Sequence, residues 1–129
     1  MDPNNNHVKS IAVIGACSDH KKFGNKAVRA FLAEGWHVYP VHPTETEIEG
    51  LPAFKSVADI PGSVDEATLY IPTHRIKPVL DEIAKKGIKT VWFNPGTEDP
   101  EALEYAEDLH LDHVIGCSIA SLGVDPHKL

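Results

Sequence analysis

The chain has only two cysteines in 129 residues. That is too few for a disulfide framework, so a packed core must hold the fold. It has no run of about 18 apolar residues, which excludes a transmembrane helix. The first ten residues, Met-Asp-Pro-Asn-Asn-Asn-His-Val-Lys-Ser, contain no apolar segment, so no export signal is visible. Reduced thiols and a cytoplasmic location are the expectation. Basic residues are outnumbered: 12 Lys and Arg against 19 Asp and Glu leave a formal net charge of −7. A nucleic-acid or anionic-membrane surface needs the opposite balance, and neither partner is expected. The eight histidines are scattered. They lack the i,i+4 and Cys-x-x-Cys spacings of a zinc site, so no metal is expected. Ser18 lacks the Gly-x-Ser-x-Gly elbow of a nucleophile.

What is present describes one globular domain. The apolar fraction is 42% and the charged fraction 24%, ordinary values for a chain long enough to bury a core. Residues 1–7 are polar and Asn-rich and are expected to fray, leaving 8–129 as the domain. Continuous apolar runs predict buried parallel strands at 11–15, 36–41, 66–71, 88–93 and 113–117. Residues 51–54 can form only a short edge strand, because Pro52 cannot serve a central ladder. Residues 44–50 read as a polar turn, and Ser56 as the cap of one helical turn. Helices are predicted over about 24–34 and up to about Lys86, with Gly35 and Gly87 as stops. Asp99-Pro100-Glu101 is a strong helix start: cap, proline in the first position, acid in the first turn. Strands alternating with helices predict an α/β, Rossmann-like, doubly wound parallel sheet.

One stretch organises the rest. Ile11-Ala-Val-Ile-Gly15 runs into Ala16-Cys17-Ser18, and Gly24 opens the following helix. A strand feeding a loop into a helix N-terminus presents backbone N–H groups and the positive end of a dipole, which suits an anion. Lys21, Lys22, Lys26 and Arg29 lie close by in sequence against Asp19 alone. An anionic ligand and a solvated helix start both account for that cluster. The loop is not the Gly-x-Gly-x-x-Gly dinucleotide fingerprint, since eight residues separate Gly15 from Gly24. The second strand ends Tyr39-Pro-Val-His-Pro43, without the carboxylate that holds the ribose of NAD. The Gly-Lys-Ser/Thr phosphate-loop pattern is missing too.

These residues resemble the CoA-binding domain family. It comprises stand-alone bacterial and archaeal proteins and the N-terminal domains of the succinyl-CoA synthetase alpha subunit and of ADP-forming acyl-CoA synthetases. The resemblance runs from about residue 8 to 123. It is carried by Val13-Ile-Gly-Ala-Cys-Ser18 with Gly24, by Val38-Tyr-Pro-Val-His-Pro43, by Ile48-Glu-Gly-Leu-Pro-Ala-Phe54 with Ser56-Val-Ala-Asp-Ile-Pro61, by residues 65–72, and by Gly87 to Gly96. It implies coenzyme A, or an acyl-CoA, as the ligand. The pyrophosphate would lie on Gly15, Ala16, Cys17 and Ser18, and the adenosine by Pro40, Val41, His42, Pro43, Tyr70, Ile71 and Pro72. The pantetheine arm would run toward Asn94, Pro95 and Gly96. Lys21, Lys22, Lys26 or Arg75 would meet the 3′-phosphate.

Two departures stand out: Cys17 lengthens the loop by one residue, and His42 replaces the family's Asn. The larger synthetases add a phosphohistidine and further domains, so the resemblance carries over binding and not ligase chemistry. The expected function is a non-catalytic or regulatory CoA-binding module. A small NAD(P)-dependent oxidoreductase is the alternative, weakened by the missing fingerprint and acid. A scaffold whose loop serves no nucleotide is a third. Cys17 and Cys117 fall on the same sheet edge; a redox pair, a mixed disulfide with the CoA thiol, and plain buried thiols are all open. A homodimer is compatible with a small domain, but nothing in the sequence specifies one.

Overall fold

The computed structural model describes residues 8–129; the predicted N-terminal tail lies outside them. Five parallel strands form one sheet: β1 (Ser10–Ile14), β2 (His37–Val41), β5 (Glu66–Leu69), β6 (Thr90–Phe93) and β7 (Asp112–Ile115). Their order is β2-β1-β5-β6-β7. β1 is buried along its whole length. Its alternation sends Ile11 and Val13 to one layer and Ala12 and Ile14 to the other. On the first layer sits α1 (Phe23–Ala33), which buries Ala27, Val28 and Phe31. On the second sit α2 (Ile76–Lys86) and α3 (Pro100–Asp108), which bury Ile76, Leu80, Ile83, Ala102 and Ala106. The doubly wound expectation holds.

The helix boundaries follow local chemistry. The Asp99 side chain accepts from Ala102 N at 3.1 Å and Pro100 opens α3, which satisfies an otherwise orphaned donor. Gly87 ends α2 at φ 88°, the left-handed stop that lacks a Cβ penalty. Pro78 is the third residue of α2, early enough that its missing N–H breaks no helical bond. Ser56 caps a single 3-10 turn over Val57–Asp59, as its sequence predicts.

Three expectations change. Residues 44–50 are more than a polar turn: β3 (Glu47–Ile48) pairs antiparallel with β4 (Leu51–Pro52). The connecting Glu49 and Gly50 have φ of 51° and 76°, the double left-handed turn that matches the twist of a tight hairpin. Ile48 from this acidic stretch is buried against the α1 layer. Residues 51–54 are not one edge strand. β4 belongs to the small hairpin, and Phe54 alone bridges Val41 on the outer side of β2. β1, β5 and β7 also end one or two residues earlier than the apolar runs suggest, while β2 and β6 end where expected. Tyr70 and Ile71 leave the ladder after Leu69, and Cys117 lies beyond β7. Among the described residues no helix is long and apolar enough to cross a membrane.

The topology sets the position of the site. β1 crosses over through α1 to β2 on one side, while β5 crosses over through α2 to β6 on the other. The chain therefore leaves β1 and β5 in opposite directions, and a crevice opens past their carboxyl ends. Ile14 is level with Val41 and Leu69 in the ladder. Gly15 N donates to Val41 O at 3.1 Å and Tyr70 N to Ile14 O at 2.8 Å, which closes the floor of that crevice.

Candidate functional site

Three adjoining cavities follow the crevice. The first, about 290 Å³, lies between Gly15, Cys17, the end of β2 and the segment after β5. Val41, His42, Pro43, Tyr70, Ile71 and Pro72, all named from sequence, line it together with Lys22. The second, about 370 Å³, runs over the start of α1, from Lys22 and Gly24 to Pro95, Gly96 and Thr97. The third, also about 370 Å³, lies beyond Phe23 and Pro95 and takes in Asn94 and Cys117. Tyr70 lines all three.

The loop is held down tightly. A Cβ built on Gly24 would lie 2.1 Å from Gly15 O, and one on Gly15 would lie 2.3 Å from Tyr70 O. Both positions therefore require glycine for close approach of backbones. Asn25, fully buried, donates from Nδ2 to Cys17 O at 2.9 Å and to Glu49 at 3.0 Å, and accepts from Arg29 Nε at 2.7 Å. Asn25 thus ties the loop, the hairpin and α1 together. The Asn25 amide, and behind it His20, hold the Glu49 carboxyl below its ordinary range. Sequence reading passes over Asn25, because nothing distinguishes it from a solvated polar residue of a helix.

Not every predicted donor is free for a ligand. Gly15 N is committed to Val41, and Ala16 N turns back on Val13 O at 3.4 Å. Ser18 N donates to Glu45 Oε2 at 3.1 Å. Of the four N–H groups expected to face a pyrophosphate, Cys17 alone has no partner among the described residues. Ala16 is wholly buried and lines none of these three cavities, and Pro40 serves the edge strand by accepting from Phe54 N. α1 itself begins without a side-chain cap and without an acid in its first turn, which leaves its positive end open.

The cations sort differently from the sequence cluster. Lys26 donates to Pro126 O on the wall of the third cavity, and Arg29 donates to Asn25 and His20 O, away from the crevice. Lys21 lines none of these three cavities. Lys22 and Arg75 do line the first cavity, and they are joined by Lys55, which sequence reading misses. Lys55 reaches it because Phe54 pairs outside β2. Lys22, Lys55 and Arg75 have no carboxylate partner among the described residues, although Glu82 lines the same cavity.

His42 has a turn role. Its Nδ1 accepts from Thr44 N at 3.0 Å and Glu45 N at 2.8 Å, so the ring proton belongs on Nε2. That is the bond pattern by which an Asn side chain shapes a turn. Nε2 then lies 3.6 Å from Glu45 Oε2. The hydrogen bonding of Ser18 holds Glu45 below the ordinary carboxylate range. Its carboxylate occupies an N–H of the loop and sets a negative charge beside it, although neither Glu45 nor Ser18 lines any of the three cavities. Glu45→Gln is therefore expected to tighten binding of a polyphosphate ligand by about three- to tenfold, more at low salt than high. Titration calorimetry at two ionic strengths checks this; an unchanged or weaker affinity contradicts it.

A buried polar cluster joins the strand ends. Asn94 Nδ2 donates to Thr68 Oγ1 at 2.6 Å and Leu69 O at 2.9 Å, and its Oδ1 accepts from Ser118 N at 2.9 Å and Ser118 Oγ at 3.2 Å. The Asn94 amide is thus fully spent inside the protein. Tyr70 OH lies 3.1 Å from Ser118 Oγ, and burial pushes its phenol up to about 12. Both cysteines are free. They open onto different cavities, Cys17 on the first and Cys117 on the third.

A parallel sheet wound on both faces, with a glycine-tight loop and three cations at its switch point, defines a Rossmann-like α/β domain. The family model of the CoA binding domain matches residues 9–122, and the chain belongs to that family. The alpha subunit of acetate–CoA ligase [ADP-forming] II of Pyrococcus furiosus is 43% identical over 84 residues, covering 64% of this chain and 18% of that one. The chain spans less than a fifth of the length of this curated relative. Among solved structures, a conserved hypothetical protein from Pyrococcus furiosus superimposes with a TM-score of 0.83 at 32% identity, over 88% of this chain and 98% of that one. The dinucleotide forming acetyl-coenzyme A synthetase 1 of Ca. Korarchaeum cryptofilum, in complex with phosphate and ADP, matches with a TM-score of 0.74 at 30% identity. That match covers 82% of this chain and 25% of the other.

Proposed function

We propose that this chain binds coenzyme A or an acyl-CoA, as a binding module rather than a ligase. The observation that carries the reading is the first cavity: Lys22, Lys55 and Arg75 around an apolar floor of Val41, Pro43, Ile71 and Pro72. An adenine can pack on proline and aliphatic carbon, while the 3′-phosphate needs cations near the ribose. The pyrophosphate lies against Cys17 N, Lys22 and the open end of α1. The pantetheine arm crosses the second cavity toward Pro95 and Gly96. An NAD reading lacks support, because the end of β2 presents His42 and Pro43 to the cavity and no carboxylate.

The test is discrimination at the 3′-phosphate. Wild-type protein is expected to bind CoA more tightly than dephospho-CoA. The double variant Lys55→Ala/Arg75→Ala loses about tenfold or more for CoA and little for dephospho-CoA, the loss expected of charge-assisted hydrogen bonds. Equal losses for both ligands would place the 3′-phosphate elsewhere.

A further inference from the structure

The third cavity adjoins the second at its far end. It shares Phe23, Tyr70 and Pro95 with the second, so the two form one channel. Its remaining wall is Cys117, Ala120, Pro126 and His127, with no Lys, Arg, Asp or Glu. Asn94 also lines it, but that amide is saturated by Thr68, Leu69 and Ser118 and offers nothing to a ligand. Cys117 Sγ is likewise engaged, accepting from Ala120 N at 3.4 Å. The segment over the cavity is anchored: Lys26 Nζ donates to Pro126 O at 2.9 Å, and His127 stands edge-on to Phe23 with ring centroids 6.5 Å apart.

We infer that this cavity holds the acyl group of an acyl-CoA thioester, and that the acyl group is uncharged and apolar. The inference rests on the CoA reading. The cations fix the nucleotide end in the first cavity, so the arm reaches the third with its sulfur leading. A thiol alone needs no apolar chamber of about 370 Å³, whereas a short aliphatic or aromatic acyl group gains by leaving water there. A dicarboxylic acyl group gains less, because no Lys or Arg lines the wall and the Lys26 ammonium beside it is already taken up by Pro126 O.

Titration calorimetry on the full chain with CoA, butyryl-CoA and succinyl-CoA tests it. Butyryl-CoA is expected to bind about tenfold tighter than CoA, and succinyl-CoA no tighter than CoA. Ala120→Trp, at an exposed position on the cavity wall, is expected to remove the butyryl gain, so that the variant binds butyryl-CoA no tighter than CoA. CoA binding with no butyryl gain overturns the acyl assignment and leaves the CoA reading standing. An equal gain with succinyl-CoA overturns the apolar specificity. Failure of CoA itself to bind overturns both.

Discussion

Gly24→Ala is expected to lose about 3 kcal/mol of stability and most ligand binding. The sign is what makes the prediction sharp. By helix propensity alone, alanine in place of a glycine within α1 would stabilise by about 1 kcal/mol. Here the new Cβ would meet Gly15 O at 2.1 Å and Ala16 Cα at 3.2 Å. Neither neighbour can yield cheaply, because Gly15 N is bonded to Val41 O and the next strand is locked by Tyr70 N on Ile14 O. The helix start must therefore move off the loop, taking Lys22 and the open N–H groups with it. Gly50→Ala is the control. Its Cβ meets nothing within 4 Å, and the cost is only the left-handed φ of 76°, about 1–2 kcal/mol. Urea denaturation of both variants, with CoA titration of each, checks the pair. A stabilised Gly24→Ala would show that helix and loop do not touch as described.

Asn94→Ala is expected to cost about 3–5 kcal/mol, since each buried polar group left without a partner costs about 1–3 kcal/mol. Asn94 is 2% exposed, and Thr68 and Ser118 are fully buried. Removing the amide orphans Ser118 N and Leu69 O at once. Thr68 Oγ1 and Ser118 Oγ retain each other at 2.8 Å, which keeps the cost from rising further. Asn94→Asp keeps the two contacts to Ser118 but turns a carboxylate oxygen toward Leu69 O, so it destabilises as well. Because Asn94 bridges the ends of β5 and β6 to Ser118 beyond β7, its loss loosens the floor under Tyr70 and Pro95. Denaturation midpoints for both variants test this. A loss under about 1 kcal/mol for Asn94→Ala would mean that the cluster relaxes or hydrates at little cost.

How legible the site was depended on how far its causes lie apart in the chain. Ile11 to Ile14 announce a buried parallel strand because both faces need apolar residues, and Asp99-Pro100 announces a helix start by chemistry confined to three positions. Most first-cavity residues were legible because strand ends in a doubly wound sheet converge on one edge. Lys55 was not, since its approach depends on the single bridge between Phe54 and Val41. The β3–β4 hairpin was hidden because two-residue strands carry no period, and only Glu49-Gly50 hints at the turn. Lys26 and Arg29 belong in sequence to a basic cluster that an anionic ligand and a solvated helix start explain equally. Arg29 lies about 10 Å further along the helix axis than Lys22 at 1.5 Å per residue, and local acceptors claim it. Ser18 looked like a free donor, yet Glu45, 27 positions on, takes its N–H. Asn94 reads from sequence as a ligand contact; it lines the third cavity, with its amide engaged by Thr68, Leu69 and Ser118.

The central claim is that the switch-point cavity is a CoA site. Titration calorimetry of the wild-type chain with CoA, dephospho-CoA and NAD at one salt concentration tests it most directly. The account predicts saturable binding of CoA, weaker binding of dephospho-CoA and none of NAD. Binding of NAD without CoA would contradict it and turn the same cavity into a dinucleotide site.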